Sequence, residues 1–191
     1  MRNFFGRFIR VALATIILLP LSGIAFADDS EDTSTMSALE RQIIRGECEY
    51  LVYRYLHLLE ADQGKTADLF TEDGDAFGLV GREVIRERFT EIETADSNVN
   101  VLQSSNLQID VVDEGHATGS GFVTHYVSEP IDPPRKDPTG QSVDGELEAP
   151  KSITRWTWEF KRVDGEWLIS KMNYPQSVLL RKDVLDTLEG Y

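Results

Sequence analysis

The spacing of apolar side chains changes once along the chain, near Val101, from helical to alternating. Before it, Ile44, Cys48, Leu51, Tyr55 and Leu58/Leu59 recur every three to four residues. That period predicts an amphipathic helix over about Ser37 to Ala61, with one stripe facing a core. Ser37 with Glu40 has the spacing of a capping box, in which each side chain satisfies the other's free backbone amide. Gly64 ends this element. Lys65 to Phe70 reads as a short second helix that buries Leu69 and Phe70. Thr71-Glu72-Asp73-Gly74 reads as a turn whose glycine takes the positive φ. Asp75 to Val80 follows as a short strand. A third helix starts at Gly81-Arg82-Glu83 and runs to about Ile92, with Val84, Ile85 and Phe89 on its apolar face.

After a polar linker, Ala95 to Asn100, the period becomes two. Leu107, Ile109 and Val111 point one way, Gln108 and Asp110 the other. Asp113-Glu114-Gly115 turns the chain, and His116 to Ser128 returns antiparallel. Glu129 to Pro150 carries five prolines and two glycines. No central strand can run through such a stretch, which predicts a lid or a disordered insertion. Alternation resumes at Ser152 to Arg162, with Trp156, Trp158 and Phe160 on one face. Asp164-Gly165 is a hairpin turn into a last strand, Trp167 to Asn173, and Leu179 to Leu188 reads as a terminal helix. Three helices followed by a four-stranded antiparallel meander, plus one short strand, predict an α+β domain with its helices on one sheet face.

The first 27 residues stand apart. Arg2, Arg7 and Arg10 precede the apolar run Val11 to Leu19, and Ala25-Phe26-Ala27 supplies small residues for cleavage. This is the pattern of a secretory signal, so an exported (periplasmic or secreted) product beginning near Asp28 is expected, with no membrane attachment after cleavage. Residues 28–37 read as a flexible acidic leader and 38–191 as a single domain. The chain holds 19 Lys+Arg against 33 Asp+Glu. Removing the three signal arginines leaves 16 − 33 = −17 for the exported form. That charge argues against nucleic acid as a partner, since phosphate binding needs basic patches. Cys48 is the sole cysteine, which rules out an intramolecular disulfide, and its place on the apolar stripe suggests a buried thiol.

Three stretches, in order, carry a resemblance. ADLFTEDGDAFGLVGREVIRERF (67–89), SSNLQIDVVDEGHATGSGFVTHY (104–126) and EFKRVDGEWLISKM (159–172) are similar to the SnoaL-like branch of the nuclear transport factor 2-like superfamily. The resemblance implies a curved sheet wrapped around helices as a cone-shaped, barrel-like fold with a hydrophobic pocket. It further implies homodimers through the outer sheet face. Activities in the group include isomerases, dehydratases, cyclases and hydrolases, beside many binders, so the fold alone leaves the reaction open. Catalytic members carry an acid near the end of the first helix and a histidine just before the Ser-Ser-Asn segment. Here Glu60 and Asp62 supply the acid, but Leu102 stands roughly where that histidine belongs.

The residues themselves suggest another constellation. His125 shares a strand face with Gly121, Val123 and Val127, and imidazole titrates in the range a general base needs. Glu60 or Asp62 would orient it, and Tyr53 lies on a helix stripe with Tyr50 and His57. The catalytic candidates are therefore His125, Asp62, Glu60 and Tyr53. Tyr55, Gly121, Val123 and Trp158 are the candidates for contact with a small hydrophobic molecule, Gly119 and Gly121 making room for it. Each has a plain structural alternative: the tyrosines and His57 as a half-buried or dimer-contact helix shoulder, His125 as a hydrogen-bonded sheet residue, Asp62 as a turn residue, the tryptophans as core. Histidines at 57, 116 and 125 lack metal-ligand spacing, and no metal or cofactor is expected. Two readings follow: cofactor-independent acid/base chemistry of isomerase or dehydratase type, or a non-catalytic ligand- or partner-binding protein of the same fold.

Overall fold

A computed structural model describes residues 36–95, 98–146 and 149–184, apart from the side chains of 134 and 175–177. The expected signal, nearly all of the leader and the far end of the expected terminal helix lie outside the described residues. Helix α1 (Ala38–Ala61) begins at the capping box: Ser37 Oγ accepts from Glu40 N at 3.2 Å, and Ser37 N donates to Glu40 Oε2 at 2.7 Å. Its buried stripe is Ile44, Cys48, Leu51, Val52, Tyr55 and Leu56. Met36, at the end of the expected leader, joins this core. Cys48 is fully buried; desolvation, and then Glu47 and Glu49, push its thiol up to about 12. No nucleophile is made of it.

The second helix is a 3-10 segment, Gln63–Leu69, and Phe70 already belongs to strand β1 (Phe70–Ala76). The Thr71–Gly74 turn expected from the sequence is a bulge within this strand, where pairing jumps from Phe70 to Asp75. Gly74 does not have a positive φ; a Cβ there would sit 3.0 Å from Phe70 Cβ, so the glycine serves close approach instead. The Phe70 carbonyl released by the bulge accepts from Arg82 Nε at 2.9 Å. The left-handed residues are Phe77 and Gly78 (φ 57° and 90°), which turn β1 into β2 (Leu79–Val80) as a two-residue hairpin. Helix α2 (Arg82–Ala95) buries Ile85 and Phe89.

The main sheet is built of β3 (Val99–Val111), β4 (His116–Ser128), β7 (Ser152–Val163) and β8 (Glu166–Leu180), in the order β2-β1-β8-β7-β4-β3. The expected meander is present, and β1 adds to it by pairing parallel to β8. Strand β8 runs seven residues past its expected end, over the start of the expected terminal helix. Asp164 and Gly165 make the hairpin turn with φ of 52° and 89°. The proline-rich segment is an ordered ribbon of its own, β5 (Pro130–Lys136) against β6 (Ser142–Gly145), outside the main sheet. Its prolines at 133 and 134 fall where the ribbon's register shifts, so no ladder bond is needed from them.

Strand β3 carries one bulge. Ser105 faces Phe122 but Gln108 faces Ser120, so one residue is extra, and Asn106 takes φ 51°. The bulge keeps Leu102 and Ser104 on the same face as Leu107, Ile109 and Val111. Together with Ala117, Val123, Trp156, Trp158, Phe160, Ile169 and Met172 this face packs on α1 and Phe70. Fully burying a side chain such as Phe160 or Ile169 contributes about 1.5–3 kcal/mol, and Tyr55 sits at the centre with edge-on contacts to Phe70, Phe89 and Trp156.

Gly119 opens no space for a ligand, and Gly121 packs on the bulge at the edge of a hollow of about 400 Å³. A Cβ at Gly119 would lie 2.9 Å from Ile109 Cδ1 and 3.1 Å from Phe160 Cε2; at Gly121 it would lie 3.3 Å from the Leu107 Cα and the Ser105 carbonyl oxygen. Protein atoms occupy what the missing side chains leave. Gly119→Ala is therefore expected to destabilise the domain by about 1–3 kcal/mol through overpacking, read as a lower urea midpoint at unchanged slope.

Candidate functional site

On the inner face, where α1 ends, Leu102, Val123, His125, Ser152, Thr154, Trp156 and Tyr174 enclose a pocket of about 280 Å³. Three strands bring its polar and apolar parts together by register. Leu102 lies opposite His125, His125 opposite Ser152, and Val123 opposite Thr154. Phe77 seats its ring against Tyr174 (centroids 4.2 Å apart) and edge-on to Trp156 (5.6 Å), which stiffens the aromatic wall. The larger hollows are different in kind. A groove of about 760 Å³ runs along the polar outer face of α2, one of about 520 Å³ lies beside the β5–β6 ribbon among mixed charges, and one of about 400 Å³ lies at the β3 bulge among Gln108, Ser120, Gly121 and Arg155.

His125 is half-buried, and its Nε2 lies 2.9 Å from Asn100 Oδ1. The Asn100 amide nitrogen donates to the Asn98 carbonyl at 3.2 Å, so its oxygen is the atom turned to the ring. In the neutral imidazole that contact puts the proton on Nε2 and the basic lone pair on Nδ1. Asn100 is thus the residue that sets the tautomer. The carboxylate of Glu60, in the last turn of α1, reaches the same place from the other side and accepts from Leu102 N at 2.6 Å. Leu102 is the direct neighbour of His125, so acid and imidazole flank one residue of the edge strand.

Tyr55 is fully buried, and its hydroxyl has no hydrogen-bond partner among the described residues. Desolvation, and then the phenol of Tyr174, push its pKa well above the usual value, so it is a hydrogen-bond donor at every physiological pH. Ser104 Oγ, on the same inner face opposite Val123, is buried and also has no partner among the described residues. Trp158 is buried with its Nε1 in the same condition, but it packs in the core beside Gly119 and does not line the pocket.

The other sequence candidates are placed as follows. Val123 lines the pocket; Gly121 faces the β3 bulge. Asp62 is ion-paired with Lys65, whose hydrogen bond and charge lower the carboxyl's pKa. Tyr53 is 54 % exposed on the side of α1 away from the core, and His57 is exposed as well. The structure thus brings His125 and Val123 to the pocket wall, sets Glu60 on the backbone behind Leu102 and Tyr55 in the core against Trp156, and leaves Tyr53 and Asp62 outside. Asn100, Ser104, Ser152 and Tyr174 had no signal in the sequence reading. Thr154 could have been found from the alternation of β7, which had already placed Trp156 on that face. Among the described residues no group of three His, Cys, Asp or Glu side chains converges, and no helix is long and apolar enough to cross a membrane.

A buried hydroxyl without a partner costs about 1–3 kcal/mol in desolvation. Tyr55→Phe is expected to leave the chain as stable as before or about 1 kcal/mol more so, measured by urea unfolding. A loss of stability would mean that the hydroxyl is already satisfied within the protein.

A family model for the SnoaL-like domain matches residues 41–173. No curated protein matches the sequence. Among solved structures, the chain is similar to a candidate scytalone dehydratase from Novosphingobium aromaticivorans, at 19 % identity over 76 % of this chain and 91 % of that one, with a TM-score of 0.58. It is similar to the hexachlorocyclohexane dehydrochlorinase LinA-type3 from Novosphingobium barchaimii, at 19 % identity over 76 % and 93 %, TM-score 0.57. It is also similar to Aln2 from a Streptomyces species, at 16 % identity over 75 % and 93 %, TM-score 0.51. Likeness at such identities is likeness of fold, but the family match spans most of the chain: it belongs to the SnoaL-like domain family.

Proposed function

We propose that this is an exported SnoaL-like enzyme in which His125 moves a proton on a small hydrophobic ring compound, without a cofactor. The observation that carries the reading is the imidazole of His125, held by Asn100 in one tautomer at the wall of a pocket with both polar and apolar sides. General bases act when a fixed lone pair lies within hydrogen-bond reach of a substrate proton, in a site that excludes water. In an elimination, His125 Nδ1 would take a proton from carbon, the C–H electron pair would form the new double bond, and the leaving group would depart from the adjacent carbon. Structural neighbours named for a dehydratase and a dehydrochlorinase support eliminations as the reaction type. A pocket of about 280 Å³ lies at the small end of ligand sites and suits a single ring rather than a polycyclic molecule.

A second reading has its own observation. Glu60 bonds the Leu102 backbone and Asp62 bonds Lys65, so both candidate acids are engaged elsewhere. An imidazole oriented by a neutral amide also suits a binding protein that uses His125 as a hydrogen-bonding group. Export rests on the amino-terminal pattern, and a mature chain starting at Asp28 in the extracytoplasmic fraction is its expected sign.

The test is a screen of monocyclic alcohols, ketones and halides for elimination or isomerisation, followed by single-turnover kinetics. His125→Ala is expected to lower kcat by about 10²–10⁴-fold with a far smaller change in KM. Asn100→Leu, which frees the ring to change tautomer, is expected to lower kcat less. Saturable binding with no turnover, or turnover that survives His125→Ala, would leave the binding reading in its place.

A further inference from the structure

The bulge of β3 leaves a hollow on the sheet face opposite the His125 pocket. Along β4, Ala117, Gly119, Gly121 and Val123 are buried, so Ser120 and Phe122 between them face outward. Arg155 lies opposite Phe122 and Gln108 opposite Ser120, and register gathers all four on this outer face. With Asn106 and Leu107 of the bulge they line about 400 Å³ of space, a size that suits a small molecule.

The charge of this hollow sets it apart. The chain holds 33 Asp+Glu against 19 Lys+Arg, and Arg82, Arg86, Arg88 and Arg181 are each paired with a carboxylate. Arg155 has no ion pair among the described residues. Its guanidinium lies over the Phe122 ring instead, 4.9 Å from the centroid. Such stacking holds the guanidinium in place and leaves its N–H edge free to donate. Among the described residues no acid lines the hollow. The side chains of Asn106, Gln108 and Ser120 make no hydrogen bond among the described residues either. Four polar groups therefore meet at one space with their donors unspent.

We propose that this hollow binds a small organic monocarboxylate through Arg155. The guanidinium fork takes both carboxylate oxygens in parallel, and the amides of Asn106 and Gln108 with the Ser120 hydroxyl donate to the lone pairs that remain. Phe122 and Leu107 supply the apolar part of the wall, against which the body of the acid rests. One fixed positive charge matches one negative charge, whereas a phosphate dianion would add excess charge to a chain already strongly acidic. A bare inorganic ion would also leave most of the hollow unfilled. The proposal is independent of the chemistry assigned to His125, which lies on the other side of the sheet.

Benzoate is the probe, with benzyl alcohol as its neutral counterpart and inorganic phosphate as the bare oxyanion. Isothermal titration calorimetry on the purified chain should show saturable binding of benzoate that weakens with salt, and binding of the other two at least about ten-fold weaker. Arg155→Gln should weaken benzoate by about ten-fold or more, and Arg155→Lys should recover only part of the loss, because it keeps the charge without the fork. The melting temperature of both variants should stay unchanged, since Arg155 is exposed. His125→Ala should leave benzoate binding as it was, which separates this hollow from the inner pocket. Backbone amide signals of residues 105–108 and 120–122 should be the ones that shift on titration. Absence of saturable benzoate binding, binding indifferent to Arg155→Gln, binding lost with His125→Ala, or benzyl alcohol or phosphate binding as tightly as benzoate would overturn the proposal.

Discussion

The β3 bulge between Ser105 and Gln108 is the feature on which both core and pocket depend. A strand shows alternate residues to alternate faces, so an unbroken β3 could not present both Leu102 and Leu107 inward. One extra residue at Asn106 resets the alternation. The half of β3 near the turn then contributes Ile109 and Val111 to the core, and the other half contributes Leu102 and Ser104 to the pocket wall. Gly121 belongs to this device, because the bulged backbone at Ser105 and Leu107 lies where its Cβ would be. A bulge also bends and twists its strand, which helps the sheet curve around α1.

Much of this fold could be read in the chain because its signals are local. The capping box at Ser37 and Glu40, the core stripe of α1, the alternation of β7 and the Asp164-Gly165 turn each act within a few residues. Errors arose where a local pattern had two physical solutions. Gly74 looked like a turn glycine but serves close packing, and the positive φ went to Phe77, a residue type that rarely adopts it and is held there by the hairpin and its ring contacts. Gly119 and Gly121 read as making room for a ligand. What fills that room is set by partners distant in sequence: core side chains at Gly119, and the β3 bulge beside a hollow of about 400 Å³ at Gly121.

The candidate site was legible in its histidine and hidden in its surroundings. His125 could be placed on the inward face by counting along β4. Asn100, which orients its ring, looked like linker because its role depends on the pairing of two strands 25 residues apart. Tyr174 stood beyond the expected end of β8; how far that strand runs is decided by the length of β7 beside it rather than by composition. Tyr55 read correctly as buried, but no sequence pattern reveals whether its hydroxyl has a partner.

Leu102 bears most directly on how this chain differs from the pattern it resembles. The resemblance expects a histidine near that position and an acid at the end of the first helix. The acid is present as Glu60, and it reaches Leu102, but it meets a backbone amide. That contact has a structural value of its own, since β3 is an edge strand and a carboxylate on its outward N–H blocks pairing with another chain. Directly across the ladder from Leu102 stands His125. Opposed residues in an antiparallel pair have Cβ atoms about 4.5–5.5 Å apart and point to the same face, so an imidazole at either position can serve the same pocket. On the proposed reading, the base has changed strands while the pocket stayed in place. Glu60 did not follow it: its carboxylate is spent on the β3 backbone, at the outer edge of the sheet. Asn100 takes over the orienting task. A neutral amide fixes the imidazole's tautomer but stabilises its charged form less than a carboxylate would, and this base would be positioned more than it is activated.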